Sequence, residues 1–143
     1  MTDLTAFVDG IVHEPTQTEG PGLDLTVAEI HEVTGPGRVD FGGGELEPAE
    51  TEPHDRQYRN EDDDYQWWHL DAGQYLLSFN ESLALPDDMV ATVQTRDAVR
   101  ERGAFHPTLH VAELGRVPLS VCGAGLRIKE NARVSTVVGV GQT

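Results

Sequence analysis

Apolar residues in this chain come in short runs, with fifteen glycines and eight prolines falling between them. That punctuation works against long helices and favours many short strands joined by turns. The clearest runs lie in residues 70–103, LDAGQYLLSFNESLALPDDMVATVQTRDAVRERG. Within 74–85 the residues Tyr75, Leu76, Leu77, Phe79, Leu83 and Leu85 follow a pleat-like pattern, with Asn80-Glu81-Ser82 as a polar break. After a Pro-Asp-Asp turn, Met89, Val90, Ala91 and Val93 read as a second strand that delivers Arg96 and Arg100 to its end. Cations where a strand stops and a helical turn begins are placed to meet an anion, because that end also offers unpaired backbone N–H groups. The alternative is a pair of solvated surface charges.

Elsewhere the same logic gives a coarse map. Residues 4–12 fit a short strand or a helical turn, and 13–22 form a polar connector. Leu23, Leu25 and Val27 alternate as a strand that continues, after a kink, through Ile30 and Val33. Gly35-Pro36-Gly37 is a turn, and 38–41 a brief strand before three glycines. Residues 45–64 are rich in acid and proline, offer little to bury, and read as a solvated, mobile loop. Glu61 to Asp64 within it lack the glycine and spacing of an EF-hand calcium loop. Trp67 and Trp68, adjacent on a strand, point to opposite faces, one to the core and one to a subunit interface. A helical turn near Asp97 is broken between Gly103 and Pro107. Residues 109–121 read as strand, turn and strand, 126–128 as a short strand, and 133–140 as a final β-branched one. The expectation is a single all-β domain over 1–143, with about ten short strands.

Residues 70–103 resemble the core of the dUTPase and dCTP deaminase superfamily, in which a Leu-Pro-x-x turn precedes an Arg-Ser-Ser-x-x-Arg-x-Gly segment. Pro21-Gly22-Leu23-Asp24-Leu25-Thr26-Val27 is similar to that family's early Pro-x-Gly-x-Asp-Leu strand, and 109–121 and Ala132-Arg133-Val134 are similar to its later strands. The resemblance implies a distorted jelly-roll or β-clip domain and a homotrimer that binds a deoxynucleoside triphosphate between subunits, with Mg2+ on the phosphates. One branch activates a water with an aspartate to release dUMP and diphosphate from dUTP; the other uses a glutamate to deaminate cytosine. Both depend on positioned cations and an oriented nucleophile.

Carried over position by position, the phosphate-binding arginines fall on Arg96 and Arg100, and the two serines on Asp97 and Ala98. An ionised Asp97 repels a phosphate oxygen to which serine would donate, unless it holds a metal. Its other reading is a cap of the following turn, paired with Arg100 or Arg102. The water-activating aspartate falls on His110, with Glu113 as a nearby carboxylate that can substitute, and Arg116 joins Arg96, Asp97 and Arg100 as a substrate-binding residue. The deaminase glutamate falls on Ser120, so the resemblance implies dUTP diphosphatase chemistry rather than deamination. Residues 138–143 stand where the family continues into a glycine-rich arm, so no closing lid is expected here. Two alternatives remain: a catalytically inactive paralogue that keeps the trimer and binds nucleotide, and a metal-dependent enzyme using His106, His110 and Glu113. Their His-x-x-x-His-x-x-Glu spacing suits a helix, which Pro107 opposes.

The formal charge of −15 comes from 25 acidic residues against nine arginines and Lys129. So acidic a surface is suited to concentrated salt, where at about 1 M the screening length falls to roughly 3 Å, and it gives the expectation of a halophilic source. It argues against binding duplex nucleic acid, which calls for a basic face. Cys122 is the only cysteine, which rules out an intrachain disulfide; it reads as a buried structural thiol in an intracellular, cytoplasmic protein. The first residues lack both a cationic start and a long apolar run, so neither a signal peptide nor a membrane span is expected.

Overall fold

A computed structural model describes residues 4–141. A 3-10 turn, Thr5–Phe7, runs into β1 (Val8–Asp9), so the two readings of this segment hold in succession. The connector forms one turn of helix, α1 (Glu14–Gln17), before the long β2 (Leu23–Gly35). Next come β3 (Glu50–Pro53), β4 (Arg56–Gln57), β5 (Trp67–Leu70), β6 (Gly73–Phe79), β7 (Ser82–Leu83) and β8 (Met89–Thr95). After α2 (Asp97–Arg100) follow β9 (Ala104–Phe105), β10 (Leu109–Val111), β11 (Val117–Val121), β12 (Leu126–Lys129) and β13 (Arg133–Gly141). The fold is all-β, with only two single-turn α-helices, and its strands pair antiparallel throughout the described residues.

The main sheet runs β10-β8-β13-β2-β6-β11-β9, with β3 also on β2; β12-β5-β4 and β1-β7 make two smaller sheets. The kink expected in β2 is a register shift between Val27 and Glu29, a β-bulge that lets the strand pair β13 with its first half and β6 with its second. Two apolar clusters fill the interior. One holds Ile30, Trp68, Leu77 and Leu119, the other Leu25, Ala91, Val93 and Val137, and Phe79 and Leu109 pack against both. Trp68 is completely buried and Trp67 only half so, as adjacent strand residues should be.

The polar break at residues 80–82 is more than a break. Glu81 is buried, and its carboxyl oxygens accept from Thr26 N at 2.8 Å, Thr26 Oγ1 at 2.6 Å and Gln17 Nε2 at 2.9 Å. Gln17, also buried, gives its other amide hydrogen to the Asp24 carbonyl, and its Oε1 accepts from the backbone N–H of Val12 and His13. This network, centred on two buried side chains, fastens α1 to the start of β2.

Three expectations need correction, the first being the strand at 38–41, where only Arg38 makes an isolated bridge, to Glu47. Residues 45–64 contain two strands, because β3 pairs with the far half of β2 and β4 with β5; the side chains there are mostly exposed, yet backbone pairing asks nothing of them. Cys122 is exposed rather than buried. It lies one residue beyond β11, where Val117, Leu119 and Val121 have taken the inward positions, and the chain is already turning. Among the described residues no helix is long and apolar enough to cross a membrane.

Candidate functional site

Along β8 the side chains alternate: Ala91, Val93 and Thr95 are buried, so Thr92, Gln94 and Arg96 share the opposite face. Register carries that face across the sheet. Gln94 lies opposite Thr136 of β13, Thr136 opposite Asp24 of β2, and Thr92 opposite His110 of β10. At one end of this face Arg96 N donates to the Val134 carbonyl, and the chain then turns into α2. The loop before β2 lies close against β13 because residue 22 is glycine; a Cβ there would sit 2.7 Å from the Val137 carbonyl oxygen and 2.8 Å from Thr136 Cγ2.

Between that loop and α2 lies an open groove of about 380 Å³, whose charged lining is Arg96, Arg100, Arg133, Glu19, Asp24 and Asp97. Asp24 organises it. Its Oδ2 accepts from Arg133 Nη1 at 3.0 Å and pairs with Arg96 Nε at 3.5 Å, while its Oδ1 accepts from Thr136 Oγ1 at 2.8 Å. Arg96 Nη1 also donates to the Arg133 carbonyl at 3.2 Å. Both guanidiniums are thus held on a rigid sheet, each side chain about a quarter exposed at 26%. Arg100 is freer, 58% exposed, and donates to Asp97 Oδ1 at 2.6 Å. Asp97 therefore pairs with Arg100 as expected but makes no capping hydrogen bond; it is the first residue of α2, and the N-cap is Arg96. Three guanidiniums face three carboxylates, so the groove is formally neutral in a chain of charge −15.

The other expected site residues lie apart. His110 shares the face of Arg96, with Nδ1 3.1 Å from Thr92 Oγ1. Thr92 stands four positions before Arg96 on β8, roughly 13 Å of strand. Glu113 is exposed in the bend after β10. Arg116 donates to Thr51 Oγ1 at 3.2 Å, on the strand that pairs with the far half of β2, so within one chain it does not line this groove. Ser120 gives its hydroxyl to Gln74 Oε1 at 2.8 Å.

His106 does not join His110 and Glu113. It is buried, with Nδ1 2.7 Å from the Pro107 carbonyl and Nε2 2.6 Å from Ser135 Oγ. The carbonyl can only accept, so Nδ1 carries the proton and Nε2 accepts from Ser135. Burial holds its pKa below the usual histidine value, only partly offset by the bond to Pro107. Its ring is thus committed to the interior. Among the described residues no group of three or more His, Cys, Asp or Glu is arranged to hold a metal.

Sequence reasoning found Arg96, Arg100 and Asp97 but missed Asp24, Glu19 and Arg133 as groove residues. For Asp24 a signal existed, its place in the Pro21-Gly22-Leu23-Asp24-Leu25 strand. Arg133 was visible only as part of a later strand, and Glu19 looked like connector.

Known proteins resemble this chain in sequence and in fold. The chain is 33% identical over 133 residues to a Methanosarcina acetivorans protein named "Probable deoxyuridine 5'-triphosphate nucleotidohydrolase", covering 90% of this chain and 74% of that one. A protein of the same name from Methanococcoides burtonii is 30% identical over 136 residues, covering 90% and 75%. No family model matches. In fold the chain is similar to the crystal structure of 2'-deoxycytidine 5'-triphosphate deaminase from Agrobacterium tumefaciens, with a TM-score of 0.64 at 17% identity; the match covers 94% of this chain and 43% of that longer one. The extent and identity of the first of these matches, on a fold of the same kind, place the chain in the dUTPase and dCTP deaminase superfamily.

Proposed function

We propose that the groove binds the phosphate chain of a deoxynucleoside triphosphate and that the protein is a dUTP diphosphatase, converting dUTP and water to dUMP and diphosphate. The observation that carries this reading is the pair of guanidiniums fixed through Asp24, one just past the end of β8 and one at the start of β13, with Arg100 beside them. Held in place before the ligand arrives, such cations stabilise charge that shifts onto the leaving diphosphate without reorganising. Arg96 and Arg100 are the phosphate ligands. Water attacks the α-phosphorus, the bond to the bridging oxygen breaks, and the water's proton passes to a base, for which His110 or Glu113 is the candidate.

Because His110 is well removed from Arg96 along the sheet, the reading is of a homotrimer in which one subunit's arginines meet the neighbour's β10–β11 turn. Magnesium fits as a companion of the substrate. The carboxylates of Glu19, Asp24 and Asp97 line the groove, each paired with an arginine and not gathered into a cage, and Mg2+ commonly rests on one or two carboxylates plus phosphate oxygens. When bound it would neutralise phosphate charge.

The test is incubation of the purified protein with magnesium and each deoxynucleoside triphosphate at low and high salt. Diphosphate and dUMP from dUTP are expected; ammonia from dCTP, or no product from any of them, overturns the assignment. Tight binding of dUTP without turnover points to the inactive paralogue. The shared site has its own test, in which subunits carrying Arg96→Ala are dissociated and reassembled with subunits carrying His110→Ala. With random mixing, about one quarter of wild-type activity returns if each site joins residues from two subunits, and none returns if both come from one.

A further inference from the structure

Resting on the reading of this groove as a phosphate site, we infer that Arg133 is a third phosphate-binding residue and that Glu19 is a built-in competitor for it. Arg133 donates through Nη1 to Asp24, to the Thr16 carbonyl and to Glu19 Oε1 at 3.0 Å. All three bonds leave from one nitrogen; among the described residues the donors on Nη2 and Nε have no partner, and Arg133 lines the groove. The Glu19 carboxylate is an anionic oxygen pair seated on a groove arginine, which is the contact a phosphate would make.

The two carboxylates on Arg133 differ in what holds them. Asp24 is buried in β2 and bonded to Thr136, so it stays. Glu19 is 62% exposed, on the loop between α1 and β2, and Arg133 is its one ion-pair partner among the described residues. An exposed pair of this kind is weak enough to be exchanged for a multiply charged phosphate. Binding therefore proceeds by exchange: the phosphate takes the guanidinium, and the Glu19 side chain turns out to water. The groove is neutral when empty because its own carboxylates occupy it.

Glu19→Gln keeps the loop and removes the competitor. Glu14→Gln, on the same segment and in no ion pair among the described residues, removes an equal charge without touching Arg133. Calorimetric titration with inorganic diphosphate, and separately with dUTP, should give about 3- to 10-fold tighter binding for Glu19→Gln and less than about twofold for Glu14→Gln. The gain should shrink as salt rises towards about 1 M, where an exposed pair is screened. Equal effects of the two substitutions, or weaker binding by Glu19→Gln, overturn the proposal. If the wild type hydrolyses dUTP but the two variants behave alike, the competitor falls and the nucleotide reading stands. If Glu19→Gln tightens diphosphate while dUTP is left intact, the competitor stands and the diphosphatase reading falls. Binding of neither ligand by any of the three proteins overturns both.

Discussion

Two carboxyl groups at the start of β2 make instructive neighbours. Glu81 and Asp24 are both buried, both accept three contacts, and both are tied to Gln17, the first through its carboxyl oxygen and the second through its carbonyl. Around Glu81 every donor belongs to a buried residue: two come from Thr26 and one from Gln17, and the network ends in protein on all sides. Around Asp24 two of the partners are guanidiniums whose forks carry more donors than the protein uses, and they open onto the groove. The same chemistry thus serves stability where it is closed and recognition where it is left incomplete. Closing a network satisfies buried groups; leaving cationic donors over, on a rigid support, makes a site for an anion.

The comparison fails if the two respond alike to substitution. Glu81→Ala strands the Thr26 and Gln17 donors in the interior and should cost about 2–4 kcal/mol of folding stability, measured by denaturant unfolding. The remaining folded protein should bind triphosphate with its usual affinity. Arg96→Ala should do the reverse, weakening dUTP binding by about 1.5–3 kcal/mol in a protein that stays folded. A third buried polar contact extends the comparison to pH. With its pKa held below the usual histidine value, His106 is neutral in the fold, and the unfolded chain takes up its proton first. Its contribution is therefore complete above about pH 6.5 and is lost as pH falls from there towards the depressed folded value. Thermal unfolding followed across that window should show the loss, and His106→Gln should remove this component of it. The smallest effect is expected from Asp97→Ser, which frees Arg100 and removes a repelling charge from an exposed position. Triphosphate affinity should rise by about 0.3–1 kcal/mol, and a fall would assign Asp97 a role on the bound cation.

The fold was legible because it is written in local rules. Alternation in Tyr75 to Phe79 and Met89 to Thr95, with Pro86 and Gly103 marking the ends, gave β6, β8 and the turn into α2. Local rules failed where a segment takes its order from a distant one. Nothing in Glu50 to Pro53 announces a strand, because its partner is the backbone of His31 to Gly35. Glu81 looked like a surface break because its three donors come from Gln17 and Thr26, more than fifty residues away. The groove was half legible for the same reason. Arg96 and Arg100 sit in one motif, whereas Arg133, Asp24 and Glu19 come from separate parts of the chain and meet only once β2 and β13 pair. Arg116, carried over from the resemblance alone, reaches Thr51 on β3 within its own chain and so is not joined to the groove by the fold of one subunit.

The central claim is that Arg96, held by Asp24, recognises phosphate rather than supporting the fold. Titrating wild type and Arg96→Ala with dUTP and with dUMP under identical salt tests it most directly, since the two ligands differ only in the terminal diphosphate. The account predicts that the substitution weakens dUTP by about 10- to 100-fold and dUMP by much less, a coupling between this side chain and the phosphate chain. Equal losses for both ligands, or no loss for either, would contradict it.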